Sequence, residues 1–313
     1  GRSPSFVGIF KKEGTPVALL GTEQKSGITI AAGDIDGDWV EEVAVGYHYH
    51  PNRISGIEDD INDWLLGNEW DEDGYCARYH RGGLGIIKVY KVMGQQFIDT
   101  GLVLYPYESE GYRGTPNIAI ADVDGDGKPE LITAPGPDPS APARIKIFKI
   151  DTSEGMGKWK VAFPMFDVIV PFEKIKVPKK EDKKDGGWSV HIEGYGANIA
   201  AGDLDGDGKA EIIVGAGPDP RKNGQVIILR IVDGLYTMES FIAYEGTRYG
   251  VYVSTADLDG DGKAEILTGL GPGPRNKPIV RIFRGDGTLM GEFQAYPDKV
   301  KFGVRVSGGG VGD

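Results

Sequence analysis

Asp203-Leu-Asp-Gly-Asp-Gly-Lys-Ala-Glu211 sits between two short apolar runs, Asn198 to Ala201 before it and Ile212 to Val214 after it. Carboxylates fall at the first, third, fifth and ninth positions, and glycines at the fourth and sixth permit a left-handed wrap of the chain. Hard Ca²⁺ takes six to eight oxygen ligands, and alternating aspartates in a tight loop supply them, as in an EF-hand. Here β-like runs replace the flanking helices. The stretch reads as a calcium-binding β-hairpin.

The motif occurs four times, as Asp34-Ile-Asp-Gly-Asp-Trp-Val-Glu-Glu42, Asp122-Val-Asp-Gly-Asp-Gly-Lys-Pro-Glu130, the copy above, and Asp257-Leu-Asp-Gly-Asp-Gly-Lys-Ala-Glu265. The expected ligands are Asp34, Asp36, Asp38 and Glu42 with the carbonyl of Val40, and Asp122, Asp124, Asp126 and Glu130 with that of Lys128. The later copies supply Asp203, Asp205, Asp207 and Glu211 with the carbonyl of Lys209, then Asp257, Asp259, Asp261 and Glu265 with that of Lys263. About four Ca²⁺ ions are implied, in a structural role. Trp39 takes the sixth position in the first copy, where an aromatic at positive φ is costly, so that site is expected to be the weakest. The 16 carboxylates matter to the charge balance, because without them the chain would go from −12 to +4.

The motifs start 88, 81 and 54 residues apart, which makes 54 the bare repeat and leaves insertions of 34 and 27 residues. Each repeat holds a run before the motif, a run after it, a Gly-Pro turn such as Gly217-Pro218, a third run such as Val226 to Ile231, and a fourth such as Phe241 to Tyr244. Four short strands per repeat separated by turn signals is the pattern of a propeller blade. The expected fold is all-β, a single β-propeller domain over 1–313 with calcium hairpins between strands one and two. Ser5 to Gly14 lines up with Ile279 to Gly287, and Phe302 to Ser307 with Tyr249 to Ser254, so a blade split between the ends would make five. Gly312-Asp313 reads as the opening of a fifth motif, which leaves a fragment of a longer chain open.

The repeats resemble the FG-GAP repeats of the integrin alpha-subunit β-propeller family. Tyr195-Gly196, Tyr249-Gly250 and Phe302-Gly303 stand for the family's aromatic-Gly step, and Gly215-Ala-Gly-Pro218 for its Gly-Ala-Pro step. The resemblance departs at Thr115-Pro116 and at Trp39, and five blades would depart from the family's usual seven. It implies a calcium-stabilised binding or adhesion module, extracellular or at the cell surface with the periplasm as a further possibility, recognising a protein or a glycan.

Composition narrows the alternatives. Gly (49) and Pro (19) make up about a fifth of the chain, which suits many turns, while 40% hydrophobic residues exclude disorder. The net charge of −12 argues against a nucleic-acid partner. The longest apolar stretch, Val161 to Phe172, is too short and too interrupted to insert in a membrane. No apolar signal core opens the chain, so any export signal has been removed or the chain is a fragment. Cys76 is the single cysteine, which excludes an internal disulfide, and no basic run beside it marks a nucleophile. Oligomeric state is not legible.

The insertions, at about 47–82 and 170–196, are expected to rise from the end opposite the calcium hairpins. The first is rich in aromatics and histidines, and Ile57, Ile61, Trp64 and Leu65 recur at helical spacing after a capping box at Ser55 to Glu58. Tyr47, Tyr49, Trp70, Tyr79, His80, Trp188 and His191 are the candidate ligand contacts. Capping of apolar surface and ordinary surface histidines are the competing readings, and His48, His50 and His80 leave a transition-metal site open. No residue set points to catalysis. A calcium-dependent polysaccharide lyase or hydrolase stays as an alternative, as does a purely structural domain of a larger extracellular protein.

Overall fold

The computed structural model describes residues 6–10, 16–21, 27–49, 84–112, 114–138, 141–172, 194–232, 234–297 and 299–308. An N-terminal hairpin pairs β1 (Phe6–Phe10) with β2 (Pro16–Gly21). Four four-stranded antiparallel sheets follow, each in chain order from its inner to its outer strand. Blade one holds β3 (Thr29–Gly33), β4 (Glu42–Tyr49), β5 (Leu84–Met93) and β6 (Gln96–Leu104). Blade two holds β7 (Asn117–Ala121), β8 (Glu130–Ala134), β9 (Arg144–Asp151) and β10 (Lys160–Ile169). Blade three holds β11 (Ala197–Gly202), β12 (Glu211–Ala216), β13 (Gly224–Val232) and β14 (Leu235–Tyr244). Blade four holds β15 (Val251–Ala256), β16 (Glu265–Leu270), β17 (Ile279–Phe283) and β18 (Leu289–Gln294). The all-β propeller expected from the repeat is thus formed, in four complete blades.

Period-two side-chain alternation welds the blades. Leu131 packs toward blade one with Ala44, Ile87 and Ile118, while its neighbour Ile132 packs toward blade three with Ile212 and Val214. Ile213, next along β12, turns the other way onto Val253 and Ile266 of blade four. The second strands of blades two and three are therefore covered on both faces, which is why β8 and β12 are buried along their whole length. The outer strand β18, by contrast, is largely exposed.

Backbone interlocks join successive blades. Gly250 donates to the carbonyl of Lys222 at 3.3 Å, and Gly303 to that of Asn276 at 3.1 Å. Tyr195, Tyr249 and Phe302 all lie at positive φ, between 71° and 74°, each followed by a glycine that is also left-handed. The aromatic-Gly step is therefore a double left-handed turn that seats each blade on the Gly-Pro turn of the preceding one. At Thr115-Pro116, where the step is missing, the Tyr112 hydroxyl donates to the Thr115 carbonyl and accepts the Gly136 amide instead.

Two boundaries differ from the sequence reading. β4 runs to Tyr49, paired with Leu84, and Tyr47 pairs with Ile86 and packs on Val43 and Val45. The first excursion therefore leaves after Tyr49, and Tyr47 is part of the sheet. The fifth, split blade is not assembled among the described residues. β1 and β2 form their own two-stranded sheet, and the stretch after Phe302 lies against blade four through Val304 N to Leu270 O (3.0 Å) and Gly308 N to Ser254 Oγ (2.7 Å), without a ladder.

Candidate metal centres

Each acidic motif is the turn between the first and second strands of its blade, so all four lie at one end of the propeller. The loops are built alike. The first-position aspartate caps the turn with both oxygens. In blade three Asp203 Oδ1 accepts the Gly206 amide at 2.7 Å and Oδ2 the Gly208 amide at 2.8 Å, and Asp122 and Asp257 do the same. The third-position aspartate accepts from the amide of the fifth, and the fifth from that of the seventh. The ninth-position glutamate is buried and turns one oxygen back, so that Glu42, Glu130, Glu211 and Glu265 each accept the second residue's amide through Oε2 at 2.7–3.0 Å. The seventh residues Val40, Lys128, Lys209 and Lys263 enter these networks by their amides.

Backbone amides engage both oxygens of the first aspartate and one oxygen each of the third, the fifth and the glutamate, and each such oxygen keeps a second lone pair for a metal ion. No backbone amide reaches Oδ2 of the third and fifth aspartates or Oε1 of the glutamate. In blade one these three oxygens surround a single cation, Lys91 Nζ, at 2.7 Å from Asp36, 2.7 Å from Asp38 and 3.1 Å from Glu42. Glu42 Oε1 is fully buried, and although Lys91 is close, no aligned hydrogen bond reaches it. In blade two Lys149 Nζ takes the same place, 2.6 Å from Asp124, 2.5 Å from Asp126 and 3.5 Å from Glu130. The ammonium is a stand-in for a cation, and the oxygens facing it are the hard donors that Ca²⁺ selects. In every blade, ligand atoms of the first, third and ninth residues lie within 4.8 Å of one another. The four acidic groups fit a divalent metal ion.

Burial is the main force on three of the glutamates, Glu42, Glu130 and Glu211. It pushes Glu130 and Glu211 up to about 7, against the pull of the Val123 and Leu204 amides. Glu42 is raised by burial as well, opposed by Lys91 and the Ile35 amide. The Lys149 ammonium holds Asp126 below its ordinary value, and the Lys91 ammonium does so for Asp38. A proton and a metal ion therefore compete for the carboxylates of Glu42, Glu130 and Glu211.

Trp39 does not break the first loop. Its backbone sits at φ 69°, its amide donates to Asp34 Oδ2 at 2.8 Å as a glycine's would, and its side chain is 95% exposed. Relief of ~1–2 kcal/mol of left-handed strain is offset by the ~0.5–1 kcal/mol entropic cost of glycine. Trp39→Gly is therefore expected to stabilise the metal-free chain by up to ~1 kcal/mol in urea unfolding. A loss of stability would show that the tryptophan makes a contribution beyond its backbone shape.

Neighbouring loops are also tied to one another. Ala210 donates to the Asp122 carbonyl and Ala264 to that of Asp203, both at 2.7 Å. Pro129 occupies the equivalent position in blade two and has no amide to give to blade one. The lysines at the centres were not identified from the motif. A signal existed, since Lys149, Arg230 and Arg284 each follow the ninth-position glutamate by 19 residues, but the first excursion lengthens that interval to 49 for Lys91.

Of the candidate ligand contacts, Tyr47 and Tyr49 lie on β4, while Trp70, Tyr79, His80, Trp188 and His191 lie outside the described residues. The helix expected over Ile57 to Leu65, His50 and Cys76 do so too. The excursions connect β4 to β5 and β10 to β11, and the antiparallel topology starts both at the end opposite the acidic loops.

Comparison with known proteins centres on the third loop. Residues 195–229 match the family model of the FG-GAP repeat, a span that takes in the Tyr195-Gly196 step, the acidic loop and most of β13. No curated protein matches the chain. Among solved structures it is similar to rhamnogalacturonan lyase YesW (16% identity, TM-score 0.41, 91% of this chain and 44% of that one). It is also similar to the exotype rhamnogalacturonan lyase YesX (18%, 0.41, 90% and 42%) and to the Bacillus licheniformis rhamnogalacturonan lyase PL11 (16%, 0.40, 93% and 55%). The chain spans about half the length of these proteins, and no activity is carried over from them. With this topology and the match at its third loop, the chain is a β-propeller in which residues 195–229 match the FG-GAP repeat.

Proposed function

We propose that this chain is a calcium-stabilised extracellular or cell-surface binding module that recognises a protein or a glycan through the end bearing its two excursions. The observation that carries this reading is the division of the propeller into two ends. One end gathers four acidic loops, tied into the sheets by buried glutamates. The other launches two excursions of 34 and 21 residues, 50–83 and 173–193, from adjoining blades. Binding residues concentrate on loops positioned by a rigid scaffold.

Calcium would be held by carboxylate oxygens of Asp34, Asp36, Asp38 and Glu42 and their counterparts, with the seventh-position carbonyls completing the shell. Its contribution is structural, neutralising carboxylates that would otherwise repel. Among the described residues no helix is long and apolar enough to cross a membrane. Trp70, Tyr79, His80, Trp188 and His191 are the proposed contacts, since aromatic side chains bury large area at low entropic cost.

The test is a glycan array and an extracellular-protein array probed with the calcium-loaded chain, repeated with Trp70→Ala/Trp188→Ala. Binding lost by the variant while its melting temperature and calcium content stay unchanged is the expected result. Full binding by the variant would move the functional surface elsewhere, and cleavage of an arrayed polysaccharide would move the reading to an enzyme.

A further inference from the structure

Every blade sets a basic side chain across the ladder from its ninth-position glutamate. Lys91 pairs with Glu42, and one step beyond the pairs Leu131↔Phe148, Ile212↔Leu229 and Ile266↔Phe283 stand Lys149, Arg230 and Arg284. The lysines and the arginines are placed differently. Lys91, with a side chain only 6% exposed, and Lys149 have their ammonium groups inside the ring of free carboxylate oxygens. Arg230 is drawn outward, its Nη1 bonded to Glu239 Oε2 at 2.8 Å and its Nε 3.8 Å from Glu211 Oε1. Arg284 is exposed, and among the described residues no cation forms an ion pair with Asp257, Asp259 or Glu265.

We propose that Lys91 and Lys149 are internal competitors for the divalent cation, so that the four loops fall into two classes. The loops of blades three and four accept calcium directly, and those of blades one and two accept it only as the ammonium is expelled. The inference rests on the reading of the loops as calcium sites. The ammonium stands among the oxygens that the metal would need, close against the two aspartates and beside the glutamate, and the two cations cannot share them, because at ~4 Å like charges repel by several kcal/mol even in a partly screened site. Binding in blades one and two therefore includes the cost of moving a lysine, buried in blade one and half-buried in blade two, to water. In return, those blades keep a counter-charge in their loops when calcium is scarce. The arrangement gives one propeller a pair of sites that fill first and a pair that fill only at higher calcium.

The experiment is isothermal titration of the metal-free full chain with calcium, in wild type and in Lys91→Met/Lys149→Met. In wild type, two ions are expected to bind at least ~10-fold more tightly than the other two, a gap of ~1.4 kcal/mol. The variant is expected to bind four alike. Four equal ions in both proteins would overturn the competition while leaving the calcium sites standing, and no binding in either would overturn the calcium reading itself. Amine footprinting of wild type with acetic anhydride covers the case in which the variant fails to fold. Lys91 and Lys149 should be protected in chelator and modified at saturating calcium, with Lys128, Lys209 and Lys263 modified in both. Protection that calcium does not change would overturn the proposal.

Discussion

Chelation is expected to lower the thermal midpoint of the chain by ~10 °C or more. An ion bound only by the folded state adds ~2.7 kcal/mol when its free concentration is 100 times Kd, so even two filled sites supply ~5 kcal/mol. That is a large share of the ~5–15 kcal/mol that holds a typical domain together. The loops give the dependence a structural cause. Glu211 and Glu265 are buried as the first residues of β12 and β16, so a carboxylate left without its cation destabilises strands that carry the blade-to-blade cores. Differential scanning with excess calcium and with chelator measures the effect. Equal midpoints would remove calcium from the account of stability.

The loss should also depend on pH, with a definite sign. Burial raises Glu130 and Glu211 to about 7 in the metal-free fold, above the ordinary range of an unfolded glutamate. A group raised in this way contributes stability below its unfolded value, and that contribution is lost as pH rises through the folded one. The metal-free chain is therefore penalised most above pH 7, where calcium has no proton to displace. The gap between the two midpoints is expected to be wide at pH 8 and to narrow toward pH 5. A gap that does not change would mean that these carboxylates do not face the ion.

Much of this end of the propeller was legible in sequence because each acidic loop is local. Nine consecutive residues set its hydrogen bonds, so Asp203 to Glu211 predicts its own turn wherever strands flank it. Trp39 was the exception in degree, since an exposed side chain leaves a left-handed residue only its backbone strain to overcome. What was not legible depends on register between strands. Lys91 reaches Glu42 only through the pairing of β4 with β5 across an excursion that hides the interval, and Tyr47 and Tyr49 read as loop because their strand runs past the motif's periodicity. The blade-to-blade contacts are non-local in the same sense. The aromatic-Gly steps were visible as a pattern, but their conformational reason, two consecutive left-handed residues, was not.

That interlock carries the other large expected effect. Gly250 lies at φ 66°, and a Cβ there would stand 2.0 Å from the Ala216 carbonyl oxygen and 2.3 Å from that of Gly217. The backbone cannot yield cheaply, because the Tyr249 and Gly250 amides are bound to the Asp219 and Lys222 carbonyls at 3.2 and 3.3 Å, and the Gly250 carbonyl accepts from Gly271 at 3.1 Å. Gly94, in the turn between β5 and β6, is an internal control, left-handed at φ 62° with nothing within 4 Å of where a methyl group would stand. Gly94→Ala should lose only the ~1–2 kcal/mol of a left-handed alanine. Gly250→Ala adds the collision with two carbonyls, and a loss beyond ~4 kcal/mol is expected, enough to separate blade four from blade three. Urea unfolding of both variants at saturating calcium decides it. Calcium should not rescue Gly250→Ala, because the clash lies at the end of the blades away from the acidic loops. Similar losses in the two variants would mean that the step serves its own turn and does not hold the ring together.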